Sequence, residues 1–221
     1  MTTAAAAEAT PDAYYALEDN AATNVVVDSI NSYNGTSSSN TTLLHSTGTG
    51  CWSGDCFKFT STAGRFYTAN SNVLGYFTDN VFTVELTYYG DGSSTLSSGY
   101  SRLLEGVGAT FRVQRYNSDT SLRVVTGTSN ADFTVADLDD GNVQKIRVVV
   151  NTAESTDKIK VYQKVGTGGS WALKGSSANL GSISGLTSVN FYGDGSSPWY
   201  SATGTYKVDE VKIWNSAVIP Q

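Results

Sequence analysis

Regular alternation of apolar and polar residues marks out side chains that leave the core and are free to do chemistry. Residues 81–89 show it best: Phe82, Val84, Leu86 and Tyr88 alternate with Thr83, Glu85, Thr87 and Tyr89. Side chains on a strand point to opposite faces in turn, so if the first set fills a core, the second points away from it. Around Val113 the same rule turns Arg112, Gln114 and Tyr116 outward. Around Ile146, Val148 and Val150 it turns Arg147 outward, and around Val189 and Phe191 it turns Asn190 and Tyr192 outward. Aromatic faces stack on the apolar faces of pyranose rings, and planar polar groups chelate neighbouring hydroxyls. Arginine adds paired hydrogen bonds to a carboxylate, which favours an acidic sugar. The competing reading is an ordinary solvated face with cross-strand Glu–Arg pairs. A second candidate surface comes from an internal echo. Tyr89-Gly90-Asp91-Gly92-Ser93-Ser94 recurs as Tyr192-Gly193-Asp194-Gly195-Ser196-Ser197. Either this is common Asp-Gly turn chemistry, or two rim loops present their amides, carboxylates and Trp199 to a ligand.

The same groups could support a polysaccharide lyase. Such an enzyme must neutralise a uronate carboxylate and supply a base for the neighbouring proton. Arg112 and Gln114 could neutralise, and Tyr116 or His45, the latter expected in a loop, could take the proton. A Ser-His-Asp hydrolase is disfavoured, because the sequence has no Gly-x-Ser-x-Gly elbow. Cys51 and Cys56 enclose Trp-Ser-Gly-Asp. A disulfide-closed loop is the leading expectation, with free thiols still open. Two thiolates and one histidine make a poor zinc set, and a redox pair normally has two intervening residues. A disulfide would point to an oxidising compartment, secreted or cell-surface.

These groups must be positioned by strands. Period-two patterns predict them over residues 13–17, 56–59, 65–68, 81–89, 100–105, 110–116, 121–126, 144–151, 158–164, 171–175, 188–192 and 206–214. Asp, Gly, Ser and Asn punctuate between them, and no stretch after Thr10 shows sustained helical spacing. The pattern predicts an all-β fold, an antiparallel two-sheet β-sandwich of jelly-roll type, with a closed barrel as the alternative. In such a sandwich the strands bearing Glu85, Arg112, Gln114, Tyr116, Arg147, Asn190 and Tyr192 are expected to share the concave sheet. Composition agrees. The 221 residues include 28 Ser, 27 Thr and 22 Gly but are only 15% charged, which excludes a long helical bundle. With 39% hydrophobic residues and 13 Tyr, 8 Phe and 4 Trp, disorder is excluded as well. No apolar run approaches the roughly 20 residues of a membrane span. A net charge of −6 without a basic cluster argues against nucleic acid. Residues 1–12 read as a linker or expression remnant and residues 13–221 as one domain. The start, MTTAAAAEATP, lacks the regions of a signal peptide, so in a secreted protein the signal would already have been removed, or the chain was cut from a larger protein.

Several segments, in their order, resemble a known family. Ala13-Tyr14-Tyr15-Ala16-Leu17-Glu18 precedes Val27-Asp28-Ser29-Ile30-Asn31-Ser32-Tyr33-Asn34-Gly35-Thr36. Phe82-Thr83-Val84-Glu85-Leu86 and Gln144-Lys145-Ile146-Arg147-Val148-Val149-Val150 follow. Tyr206-Lys207-Val208-Asp209-Glu210-Val211-Lys212-Ile213-Trp214-Asn215 closes the chain. This succession resembles the laminin-G-like (concanavalin A-like) jelly-roll domains. The resemblance implies an extracellular lectin-like fold. It also implies a structural Ca²⁺ held by Asp209 together with Asp28 and Asn31. Departures are the absent Trp-x-His before the Val-x-Val strand and the extra Cys51–Cys56 loop. The Glu-x-Asp-x-x-Glu triplet of related glycoside hydrolases is absent as well. Asp137, Asp139 and Asp140 are expected to make a turn. The leading expectation is therefore a module that binds a polysaccharide or other glycan and fits within a larger multidomain or surface assembly. Glycan cleavage on the same face is the second reading, and a structural or adhesive surface or virion module the third.

Overall fold

In the computed structural model, residues 8–19, 23–37, 44–47, 51–59, 65–92, 100–192 and 206–221 are described. In chain order the elements are β1 (Ala13–Tyr15), β2 (Val25–Val26), β3 (Gly35–Ser37), β4 (Leu44–Thr47), β5 (Asp55–Phe59), β6 (Phe66–Thr68), α1 (Ser71–Thr78), β7 (Val81–Gly90) and β8 (Tyr100–Val107). They continue with β9 (Phe111–Tyr116), β10 (Ser121–Thr126), β11 (Ser129–Thr134), β12 (Val143–Asn151), β13 (Ile159–Val165), β14 (Ala172–Ser177), β15 (Ser188–Phe191) and β16 (Tyr206–Trp214).

The strands form two antiparallel sheets. Sheet I runs β14-β13-β12-β7-β16-β5-β4, with β1 also paired to β16. Sheet II runs β11-β10-β9-β8-β15-β6-β3-β2. The fold is thus the expected β-sandwich. Inward residues of sheet I, such as Val84, Leu86, Ile146 and Val148, meet Leu104, Phe111, Val113 and Val124 of sheet II in one apolar core. Two aromatic groups hold the layers together. Tyr15, Phe66, Phe191 and Tyr192 form one. Phe77, Phe82 and Phe111 form the other, under α1.

Three expectations are corrected here. The segment 71–78 is a helix: Asn70 caps it by accepting the Asn72 N–H at 3.0 Å, and Val73 and Phe77 bury its inner face. It has only two turns and a glycine inside, so its apolar spacing never repeats. His45 lies on strand β4, opposite Phe57, and not in a loop. Strands β2, β3, β4 and β11 were not foreseen; β11 returns beside β10 through the two-residue turn Gly127-Thr128.

A further correction concerns the shared face. Glu85 on β7 and Arg147 on β12 lie in sheet I. Arg112, Gln114 and Tyr116 on β9 and Asn190 on β15 lie in sheet II. All six side chains leave the core, but in opposite directions.

Candidate functional site

The outer face of sheet I is covered over β12, β7 and β16, and a depression of about 170 Å³ beside Val149 and Lys160 remains. Lys145, Arg147, Glu85 and Glu210 leave the core and are nonetheless buried. Arg147 pairs with Glu85 and, at 2.5 Å, with Glu8. Lys145 reaches Glu210 at 2.5 Å and Glu85 at 3.2 Å, and Lys212 reaches Glu210 at 3.3 Å. The guanidinium of Arg147 lies over the rings of both Trp171 and Trp214, 4.9 and 4.8 Å from their centroids. Residues 8–12 lie across this layer, with Trp214 Nε1 donating to the Ala9 carbonyl at 2.8 Å. The Cys51–Cys56 disulfide is formed, and its loop is a second cover. A bulge in β16 places Asp209 and Glu210 in succession on the outer face. The Asp209 carboxylate accepts the Trp52 and Ser53 N–H groups at 2.5 and 3.2 Å, which seats the Trp52 ring 4.0 Å from Lys145 Nζ.

Burial pushes the Asp209 carboxyl up to about 6, against the pull of these amides. Burial acts on Glu210 in the same direction. Lys145 and Lys212 outweigh it and hold Glu210 below the usual carboxylate range.

The two carboxylates expected to bind calcium, those of Asp209 and Asp28, accept backbone N–H groups instead. Asp209 also accepts the Glu210 N–H at 2.8 Å. Asp28 accepts the N–H groups of Tyr14, Ile30, Asn31 and Tyr33 at 2.8–3.1 Å, and Asn31 donates to the Asp12 carbonyl at 2.7 Å. Among the described residues no three His, Cys, Asp or Glu side chains gather to hold a metal ion. The residues as arranged do not fit the Ca²⁺ site that the resemblance implied. Asp137, Asp139 and Asp140 make a turn; Asp139 N–H donates to Asp137, and Asp140 accepts from Asn142 N–H and Gln144 Nε2.

Among the described residues, nothing lies across the outer face of sheet II over β8–β11. Pairing across β8, β9, β10 and β11 sets Arg102, Gln114, Arg123 and Asp132 in one row. The next row holds Glu105, Arg112, Val125 and Asn130, and Tyr100 pairs with Tyr116 on the other side. Rows are about 7 Å apart and neighbouring strands about 4.8 Å. These side chains enclose a groove of about 270 Å³ lined by Tyr100, Arg102, Arg112, Gln114, Arg123, Val125 and Asn130. Its lining holds three cations and no acid, on a chain of net charge −6. The acids stand beside it. Glu105 Oε1 accepts from Arg102 Nη1 at 2.5 Å and Arg112 Nε at 3.1 Å. Asp132 holds Arg123 through both oxygens, at 2.6 and 2.7 Å, and the bonds keep its carboxyl below the usual range. Arg123 also lies 3.3 Å from the centroid of the Tyr116 ring, which faces Tyr100 at 5.5 Å. A second depression, of about 550 Å³ over the turn from β8 to β9, shares Arg102 and Arg112.

Of the residues expected to bind a ligand, Arg112 and Gln114 line this groove, and Tyr116 flanks it. Asn190 lies on the same sheet, two strands from β9 and opposite Glu105. Glu85 and Arg147 are sealed in sheet I, and Tyr89 is half-buried at the end of the same outer face. Tyr192 is corrected outright: it lies in the core. Its φ of 61° breaks the alternation and swings the ring between the sheets. There its hydroxyl donates to the Thr87 carbonyl at 2.7 Å and accepts the Thr87 N–H at 3.1 Å. Trp199, with the second copy of the echo beyond Tyr192, lies outside the described residues. The set Arg112, Gln114, Tyr116 and His45 is not gathered, since β4 ends sheet I while the other three stand on sheet II.

Tyr100, Arg102, Arg123, Val125 and Asn130 are the groove residues that sequence reasoning missed. Arg123, between Leu122 and Val124 on a cleanly alternating strand, carried a usable signal. Arg102 did not, because a bulge makes Leu103 and Leu104 both core residues.

Fold and groove together define a β-sandwich with an arginine-rich outer face. No family model matches the chain, and no curated protein matches it by sequence. Solved structures match at the level of fold. The binding domain of botulinum neurotoxin serotype D is similar with a TM-score of 0.63 and 12% identity, over 94% of this chain and 49% of that one. A sialidase of Trypanosoma rangeli, in complex with the inhibitor DANA, gives 0.60 and 13% over 94% of this chain and 31% of that one. The binding domain of botulinum neurotoxin DC in complex with SialylT gives 0.60 and 9%, over 94% and 48%. The chain thus spans half or less of each of these proteins. Among the described residues no helix is long and apolar enough to cross a membrane.

Proposed function

We propose that this protein is a non-catalytic glycan-binding module, secreted or surface-displayed, that reads its ligand with the outer face of sheet II. The open groove over β8–β11 carries the reading. Sugar recognition calls for planar hydrogen-bonding groups beside an exposed aromatic face. Here guanidiniums, the Gln114 and Asn130 amides and the half-exposed Tyr100 ring share one surface. Similar folds were solved with sialic acid and with SialylT, which supports a glycan as the ligand class. The disulfide supports an oxidising setting. A lyase finds less support: His45 stands on the other sheet from Arg112 and Gln114, and the Tyr116 ring beside them packs against Arg123 and Tyr100.

A glycan array probed with the wild type and with Tyr100→Ala and Gln114→Ala tests this. Binding to at least one glycan class is expected, weakened about tenfold by either change. An array without a signal above background, or one on which both variants bind as the wild type does, would overturn the proposal.

A further inference from the structure

We propose that the groove selects a carboxylated sugar and that Arg112 is the group that clamps its carboxylate. This rests on the glycan reading above and narrows it to a ligand class.

The three guanidiniums are not equivalent. Arg123 has Nε and Nη2 committed to Asp132 and its plane against Tyr116. Arg102 directs Nη1 to Glu105. Arg112 uses only Nε, also on Glu105, so Nη1 and Nη2 have no hydrogen-bond partner among the described residues. Two parallel terminal N–H groups are the edge that takes a carboxylate bidentately. Glu105 fixes the other edge and so aims this one, while the Arg112 side chain remains 35% exposed. Arg112 borders both depressions, so a carboxylate bound there lies between two subsites and not at the end of one.

Gln114 supplies the second half of the selection. It is 3% exposed, yet its Oε1 has no hydrogen-bond partner. It stands one row from Arg112, between Arg102 and Arg123. A buried acceptor among cations is poorly served by a second anion and well served by a hydroxyl donor. The ligand that completes both is a sugar ring bearing a carboxylate with a hydroxyl close to it, as in uronic and sialic acids. A free phosphate or sulfate ion on Arg112 would leave Gln114 without a hydroxyl donor.

Calorimetry tests the inference with hexamers of glucuronate and of galacturonate and with sialyllactose, each beside its carboxyl-reduced neutral form. For at least one pair the acid form is expected to bind about tenfold or more tightly than the neutral form. The preference should shrink as salt is raised. Arg112→Gln, with melting temperature checked, should abolish the preference. Arg112→Lys, which keeps the charge without the fork, should restore only part of it. Equal binding of acid and neutral forms would overturn the carboxylate inference and leave the glycan reading standing. So would a preference indifferent to salt, or one retained in Arg112→Gln. Failure of every acid and neutral form to bind would remove this inference, and an array without signal would remove the broader reading with it.

Discussion

The two outer faces of the sandwich are built from the same kinds of side chain and treat them in opposite ways. On sheet I, Lys145, Arg147 and Lys212 meet Glu8, Glu85 and Glu210 beneath residues 8–12 and the disulfide loop. On sheet II, Arg102 and Arg112 meet Glu105, Arg123 meets Asp132, and among the described residues no segment covers them. Whether a face is covered decides what its charges can do. A charge withdrawn from water must find its counter-charge within the protein, because an unpaired one costs several kcal/mol. A charge left at the surface can keep part of its hydrogen-bonding capacity for another molecule. Sheet I therefore turns arginine into architecture, whereas on sheet II Arg112 keeps hydrogen-bonding capacity in hand.

The sharpest way to break this comparison is to remove one arginine from each face. Arg147→Ala leaves Glu85 buried beside Lys145 alone and empties the space over Trp171 and Trp214. A loss of about 3–5 kcal/mol is expected. For a chain of this size that lowers the melting temperature by roughly 10 °C or more. Arg112→Ala removes a half-exposed group, and a change below about 1 kcal/mol is expected. Thermal unfolding of both variants checks the contrast. Similar losses would mean that the two faces do not differ in kind.

How far this contrast could be read from the chain follows from what alternation encodes. It assigns a side chain to the core or away from it, and over β10 and from Phe111 to Gln114 on β9 the pattern runs without interruption. Arg112, Gln114 and Tyr116 were accordingly placed outward, as they are. Alternation does not say which sheet a strand joins, because pairing is a long-range choice. β12 pairs with β7 across more than fifty residues, whereas β9 pairs with its neighbours in sequence. One expected face therefore proved to be two. The rule also fails where the backbone departs from extended geometry. The left-handed φ of Tyr192 turned an expected ligand residue into a tie between the sheets. The bulge at Leu103 hid Arg102, and the bulge at Glu210 brought two acids to one face. The cover on sheet I was not visible, since nothing in the period-two pattern tells which outward residues a loop will bury. Val149, Lys145 and Arg147 all look like surface residues in the sequence.

A smaller effect separates the faces by pH. Asp209, under the disulfide loop, titrates near 6 where an ordinary aspartate titrates near 3.8. The folded state then binds more protons than the unfolded state between these values. This group therefore adds stability as pH falls from about 7 towards 4, and withdraws it as pH rises. The shift corresponds to about 3 kcal/mol at most. Glu210 has the opposite sign. Its folded value is depressed below 4.5, so its contribution is present above that pH and is lost as pH falls further. Melting temperatures followed from pH 7 to pH 4 should show the wild type gaining relative to Asp209→Asn, whose side chain cannot take up the proton. Parallel curves for the two proteins would mean that burial on sheet I does not raise Asp209.

The smallest effect isolates the cover itself. The Cys51–Cys56 bridge closes a loop of few residues, so its removal should release only about 2 kcal/mol of chain entropy. In Cys51→Ser/Cys56→Ser the Trp52 and Ser53 amides can leave Asp209, and the Trp52 ring can leave Lys145. Stability should therefore fall by about that amount, with Trp52 emission shifting to longer wavelength as its ring meets water. Ligand binding on sheet II should not change, because the loop packs on the other side of the sandwich. A variant that lost glycan affinity without unfolding would show that the covered face and the open face are coupled, and the division of labour between them would have to be abandoned.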